Sequence, residues 1–287
     1  MQSLKQFIAE FEECCSVIED PRQASKIDYP IVEILFLAIV AMAAGAMSWG
    51  MIEEFGQIYI ETLRQYYPFV KGAPSDDTIR RMFEMFDPKH LNEFLMKYFV
   101  PKVDMEDEQL SIDGKSLKGS KRNRSRPLHF INVYATNAGL TLFGKEVDEK
   151  TNEIKAIPEA LDALDIKGTV VTIDAMGCQK EIAKKITDKG ADYIFGLKEN
   201  QPTLYSAVEK LFQCPQDKIT PIDVAFTQEK GHGRDELRVC RVIQDLSLIQ
   251  SAHQWPSMKS IVELKRTIGS KGKTTESTNY YIYQQLS

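Results

Sequence analysis

The sequence predicts an α/β protein in two parts, an all-α N-terminal domain followed by a mixed sheet that carries helices and a β-rich insertion. Three observations predict it. Apolar residues recur at helical spacing up to about residue 103. Short β-branched runs then alternate with helical ones. From about residue 220 the pattern turns strand-rich again. A length of 287 residues leaves room for two domains, 1–103 and 104–287, without disulfides or metal staples.

In the first domain, Leu4–Cys14 places Leu4, Phe7, Ile8 and Phe11 on one helical face. Pro30 stands where a first-turn proline is tolerated, ahead of the run from Ile31 to Ala44. The stretch Ile34–Ile52 has no charge and approaches the length of a bilayer span. Its flanks are Glu33, Glu53 and Glu54, with no Lys or Arg to orient it. It is read as two packed helices meeting near Gly45–Ser48, with Ser48 capping a helix from Trp49 to Tyr66. No membrane partner is expected. Ser75 and Asp87-Pro88 are cap signals for two further helices, the first carrying Arg80 and Arg81.

After the acidic linker 101–108, Gln109–Asp113 reads as a strand. Leu128–Thr136 and Leu140–Val147 read as a hairpin turned by Asn137-Ala138-Gly139. A short helix (Ile157–Leu164), a buried strand (Thr169–Ile173), a helix (Gln179–Asp188), a strand (Tyr193–Leu197) and a helix (Pro202–Phe212) follow. This is the element order of the ribonuclease-H-like fold. Beyond Asp223, the runs Val224–Thr227, Leu237–Val242, Ile261–Lys265 and Tyr280–Tyr283 make up the β-rich insertion.

The net charge of −5 excludes a uniformly basic nucleic-acid coat, but the charge is unevenly placed. Before Val103 there are 10 basic and 15 acidic residues; from there on the two balance at 26 each. Five cysteines without CxxC spacing, and four scattered histidines, argue against a disulfide framework or a zinc cluster. The segment 1–19 lacks an apolar signal core, so a cytoplasmic setting is expected.

Two acids occupy special places. Asp113 ends the first strand and Asp174 the buried one; if those strands are neighbours, their carboxylates converge at the edge where open α/β sheets bind ligands. Two carboxylates without His or Cys suit a hard cation, Mg²⁺ or Mn²⁺, which serves phosphoryl transfer. Taken singly, the Asp113-Gly114 pair also reads as a turn and Asp174 as a helix cap. Beside Asp113 come Lys115, Lys118, Lys121, Arg122, Arg124 and Arg126, six positive charges in twelve residues. Such a loop is either solvated surface or a salt-sensitive contact to a phosphate backbone. Lys265, Arg266, Lys271 and Lys273, and the turn Gly231-His232-Gly233-Arg234, invite the same two readings, with solvated hairpins the simpler one. Cys178 is read as packing rather than as a nucleophile.

The strings SIDGKSLKGS, VDEKTNEIKAIPEALDALDIKGTVVTIDAMGCQKEIAKKITDKGADYIFGLKENQPTL and GHGRDE resemble the H-repeat-associated branch of bacterial insertion-sequence DDE transposases. GAPSDDTIRRMFEMFDP and SWGMIEEFG resemble that family's N-terminal associated domain. The resemblance implies metal-dependent cleavage and strand transfer of double-stranded DNA at element ends and target; self-association is expected separately, from a sheet face that missing C-terminal helices would leave bare. Asp113 and Asp174 match the first two catalytic, metal-binding aspartates. The family's third acid is a glutamate in a helix beyond the insertion. Here the chain ends at NYYIYQQLS with no such string, and Glu236 matches the insertion instead. A C-terminally truncated enzyme with impaired strand transfer is therefore expected; the alternative is a catalytically inactive DNA-binding remnant.

Overall fold

The computed structural model describes residues 3–117, 128–147, 153–214, 223–231, 234–270 and 273–284. The chain divides into two compact units, Met1–Lys102 and Val103–Ser287.

The first unit is helical. Helix α1 (Leu4–Cys15) opens with a reciprocal capping box between Ser3 and Gln6. Helix α2 (Ile31–Ala43) buries Ile34, Leu35, Phe36, Leu37, Ala38 and Ala41, so its nearly uniform apolarity is that of a core helix. It ends before Gly45, which takes φ 96° where a side chain would be strained. Among the described residues no helix is long and apolar enough to cross a membrane. Ser48 caps the next helix by accepting the Met51 N–H, but the stretch from Trp49 is not one helix. It breaks at Tyr59 into α3 (Trp49–Ile58) and α4 (Ile60–Leu63). Tyr59 leaves helical geometry, and its carbonyl restarts the chain by accepting both the Thr62 and Leu63 N–H groups. Ser75 caps α5 (Asp76–Met85) and Asp87 caps α6 (Pro88–Phe99), with Pro88 in the first turn. The core is aromatic: the Phe11 ring meets Phe36, Phe94 and Tyr98 edge-on at 5.8, 5.7 and 5.1 Å.

One carboxylate is sealed into this core. Glu33 is 3% exposed and accepts the Phe69 N–H at 2.8 Å, holding a residue at φ 42°.

The second unit is built on a nine-stranded sheet of order β3-β2-β1-β4-β5-β9-β8-β7-β6. Strands β1 (Gln109–Leu117), β2 (Leu128–Ala135) and β3 (Leu140–Val147) form an antiparallel meander. β4 (Val170–Ile173) and β5 (Asp192–Leu197) run parallel to β1. β6 (Asp223–Gly231), β7 (Arg234–Ile243), β8 (Ser260–Ser270) and β9 (Lys273–Tyr283) form an antiparallel arm that joins the sheet through β9 against β5. The five-strand order with its antiparallel meander and two parallel strands is the ribonuclease-H-like topology. Strand β1 does not stop at Asp113. It pairs with β2 as far as Leu117 while its pairing with β4 stops at Ile112, so Asp113 lies inside a strand, at the step where one neighbour ends.

Helices α7 (Glu153–Ala163), α8 (Lys180–Asp188) and α9 (Pro202–Gln213) complete the unit. α7 begins a turn earlier than the sequence suggested, which leaves Pro158 inside it. The pleat sorts the sheet into two faces. Leu110, Ile112, Val171, Ile173, Phe195 and Ile282 are buried on one, whereas Ser111, Thr172, Ile194, Gly196 and Tyr281 are half-buried on the other. α7 meets the buried face near Ile173, α8 lies beside α7, and α9 stacks Phe212 on Tyr280 and meets the same ring edge-on with Tyr205.

A buried acid also pins the meander. Glu108, 3% exposed, accepts N–H groups from Gln109, Asn137 and Ala138 at 2.7–3.0 Å, tying the start of β1 to the β2–β3 turn. Replacing it by Ala strands these donors, at about 1–3 kcal/mol for each one left unpaired. Glu108→Ala is therefore expected to lower unfolding stability by about 3 kcal/mol or more, measured by urea titration. For Glu33, burial pushes the carboxyl above the usual carboxylate range against the opposing pull of the Phe69 N–H. The folded state then holds this proton more tightly than the unfolded chain, so stability is lost as pH rises through the interval between the two values. Glu33→Gln keeps an acceptor for Phe69 without the charge. It is expected to be more stable than the parent at pH 7, with a flatter pH dependence of the unfolding midpoint.

Candidate functional site

The sheet register builds the site. β1 and β4 pair in parallel with Leu110 opposite Val171 and Ile112 opposite Ile173. The next residue after each member of that last pair is an aspartate, Asp113 on β1 and Asp174 just past β4, on chains that a sheet spaces about 5 Å apart where they are paired. Alternation turns Asp113 away from the buried Ile112 to the open face, where β2 sets Asn132 opposite it. Asp174 follows Ile173 in extended backbone, φ −67° and ψ 175°. Both carboxylates are exposed.

The two acids are held differently. Asp113 belongs to a paired strand, and its Oδ2 lies 3.9 Å from the Lys115 Nζ. Asp174 caps a short 3₁₀ turn, Ala175–Gly177, where its Oδ1 accepts the Met176 N–H at 3.1 Å. The cap role and a place beside Asp113 are thus compatible, because a carboxylate has a second oxygen. Among the described residues no hydrogen bond to the Asp174 Oδ2 is present.

Close packing fixes the turn. A Cβ on Gly177 would lie 2.2 Å from the Ile173 Cγ2, so the turn tucks back against its own strand. A Cβ on Gly196 of β5 would lie 3.2 Å from the Ala175 nitrogen. From the loop beyond β5, Asn200 donates to the Ala175 carbonyl at 2.5 Å and Gln201 to the Cys178 carbonyl at 2.9 Å. These four residues were not singled out as site residues by sequence reasoning. A glycine inside β5, beside a strand ending in an acid, was the available signal.

Of the basic run, Lys115 is exposed on the open face. Lys118, Lys121, Arg122, Arg124 and Arg126 lie outside the described residues. The other cationic motifs are largely committed elsewhere. Arg80 pairs with Asp77 and Glu84, and Arg81 with Asp77. Arg266 forms two bonds to Glu236, at 2.6 and 2.8 Å, and Arg238 pairs with the same carboxylate. These arginines hold Glu236 below the usual carboxylate range, so it serves the arm and not the aspartate pair. Lys265 lies 3.9 Å from Glu263, while Lys271, His232 and Gly233 fall outside the described residues. Arg234 lies opposite Ser270, and Ser270 opposite Lys273, so the two hairpin tips of the arm are side by side. Cys178 is fully buried and burial pushes its thiol up to about 12, which removes it as a nucleophile. Among the described residues no cluster of three or more His, Cys, Asp or Glu side chains is poised to hold a metal.

Comparisons with known proteins fall on the same two parts. Residues 12–99 match the family described as DDE_Tnp_1-associated, and residues 104–267 match the transposase DDE domain. The chain is 38% identical over 277 residues to the H repeat-associated putative transposase YhhI of Escherichia coli (strain K12), covering 93% of this chain and 73% of that protein. It is 39% identical over 237 residues to YbfD, of the same description and organism, covering 80% of this chain and 94% of that one. Among solved structures, a piggyBac transposase synaptic complex with hairpin DNA aligns at a TM-score of 0.42 with 11% identity, over 98% of this chain and 58% of that one. That likeness is too remote to bear on the site.

The packing of the turn makes its own prediction. Gly177→Ala forces the new methyl into Ile173, and overpacking of this kind costs about 1–3 kcal/mol. A lowered thermal unfolding midpoint is expected.

Proposed function

We propose a chemistry for the aspartate pair from one premise: this chain belongs to the DDE transposase family of bacterial insertion sequences. Members of that family depend on divalent metal. On our reading, Asp113 and Asp174 hold the ion, Mg²⁺ or Mn²⁺, and the chain cuts and joins double-stranded DNA at element ends and target. The observation that supports the reading is the β1–β4 register, whose last parallel pair, Ile112 and Ile173, is followed on each chain by one of the two acids.

The donor set fits such an ion. Both side chains offer hard oxygen ligands, and Mg²⁺ binds through one or two carboxylates while keeping several waters. When bound, it supplies activation of a water or hydroxyl and neutralisation of charge on the phosphoryl oxygens. The protein's own residues do the rest. Asp174 commits Oδ1 to its turn and presents Oδ2. Asp113 presents its carboxylate from a paired strand, where the backbone cannot swing. Lys115 places a positive charge beside them for a phosphate, and Lys118, Lys121, Arg122, Arg124 and Arg126 extend that charge along the DNA backbone. Self-association and a cytoplasmic setting belong to the same reading. All five cysteines being free thiols supports the second of these.

A second reading is a catalytically inactive DNA-binding remnant. One observation favours it: among the described residues no third carboxylate joins the pair, and a two-metal site normally has more ligands than two acids provide.

Cleavage and gel-shift titration of the purified chain on element-end duplex separate the readings. Metal-dependent product that falls by more than about 100-fold in both Asp113→Asn and Asp174→Asn supports the first, since even outer-shell changes cost about 10–100-fold. Salt-steep binding without product supports the remnant. Product that persists in both variants overturns the assignment of the pair. In either reading, Arg122→Ala with Arg124→Ala is expected to reduce the slope of log K against log salt by about 2.

A further inference from the structure

We infer that Asn200 and Gln201 are positioning residues for Asp174, acting on the turn that presents its carboxylate. The inference rests on the reading of Asp113 and Asp174 as metal ligands, and extends it to two side chains that touch neither.

The segment between the end of β4 at Ile173 and the start of α8 at Lys180 is short and irregular. Its internal hydrogen bonds are local: Gly177 N–H to the Asp174 carbonyl at 3.1 Å, Cys178 N–H to Ala175 at 3.2 Å, and Gln179 N–H to Gly177 at 2.8 Å. These shape the turn but do not fix its place relative to the sheet. Two bonds from outside do. The Asn200 amide reaches the Ala175 carbonyl, using the lone pair that Cys178 leaves free, and the Gln201 amide reaches the Cys178 carbonyl. The anchored carbonyls lie at the two ends of the turn, one residue and four residues beyond Asp174. Both donors come from consecutive residues of one loop, the one that leaves β5, and β5 pairs directly with β4.

The contact is built for closeness. β5 carries Gly196 one step past the Phe195–Ile173 pair, so its backbone can approach the turn where any side chain would crowd the Ala175 nitrogen. On the inner side, Gly177 lets the turn lie against Ile173, and Ala175 and Cys178 are buried. The turn is thus gripped from below by packing and from the side by two amides, while Asp174 at its head remains exposed. Rotation of the turn about the end of β4 would carry the carboxylate away from Asp113, and the two amides oppose that rotation. They are neutral and do not titrate, so the restraint is independent of pH over the range in which carboxylates ionise. Outer groups that orient a ligand in this way typically change metal affinity about 10–100-fold when removed.

The test uses the full chain and Mn²⁺ alone, with free ion followed by electron paramagnetic resonance, alongside thermal unfolding and amide hydrogen exchange of residues 175–178. Asn200→Ala and Gln201→Ala are each expected to weaken Mn²⁺ binding about ten-fold and the double variant up to about 100-fold. The unfolding midpoint is expected to stay within about 3 °C of the parent, with faster exchange confined to the turn. Asn200→Asp keeps the shape and removes the donor; it is expected to reproduce the loss even if the alanine pair fails to fold. Affinity within about two-fold of the parent in a folded Asn200→Asp, or a loss that only tracks a collapsed midpoint, overturns the inference while leaving the aspartate pair standing. If Asp174→Asn itself leaves Mn²⁺ binding unchanged, the reading of the pair falls and this inference with it.

Discussion

The parallel pairing of β1 with β4 is the interaction on which the site depends. Four buried side chains, Leu110, Ile112, Val171 and Ile173, lock these strands into one register. A slip of either strand by one residue would turn its two buried side chains to the open face, so the register is set by hydrophobic burial and not by the acids themselves. The acids inherit it. Asp174 follows the last residue of β4 and Asp113 follows the last residue of β1 that pairs with β4, so the place of each acid is a consequence of core packing one step inward. This order of cause separates the energetics of the fold from the chemistry at its rim: the exposed carboxylates add little to stability, and the strands can present them without burying charge.

The neighbouring strands divide the remaining work. β2 continues alongside β1 past Asp113, so that acid sits on a two-stranded ribbon that outlasts the parallel sheet. Beyond Asp174 β4 has no such extension and breaks into a turn, and β5 comes close through Gly196 to hold it. One acid is restrained by its own ladder and the other by a neighbour's loop. The turn after β5 is thus a structural partner of the turn after β4, although the residues in contact lie 25 and 23 positions apart in the chain.

Much of this was legible before any coordinates. Binary alternation and β-branched runs marked the strands, and Ser48, Ser75, Asp87 and Pro88 marked helix starts that the structure reproduces as caps. The order of elements led to the fold. Less legible were features set by pairing across distance. The sequence around Asp113 turns polar and glycine-containing, which reads as a strand ending, yet β2 carries the strand four residues further. The break at Tyr59 has no proline to announce it, and the nearest glycine, Gly56, lies inside the helix before it. The contacts from Asn200 and Gln201 to backbone carbonyls leave no periodic trace at all, because a side-chain amide can meet a carbonyl from any element that tertiary packing brings near.

Charge illustrates the same difference between composition and arrangement. The net of −5 counts every arginine equally. In the structure Arg80 and Arg81 lie within helix-local ion pairs, and Arg238 and Arg266 converge on Glu236. Arg241 is joined to the buried Glu263. Cations held this way contribute a small local field, since each has its counter-charge within hydrogen-bonding distance and salt screens the remainder. For a polyanion the relevant quantity is positive charge that no carboxylate of the protein has already matched, at a place the strand can reach. By that measure the N-terminal arginines and the middle of the arm are weak candidates. Lys115 differs from them, because among the described residues its ion-pair partner is Asp113, and a metal ion on Asp113 would turn that acid from a competitor for the lysine into part of a positive site.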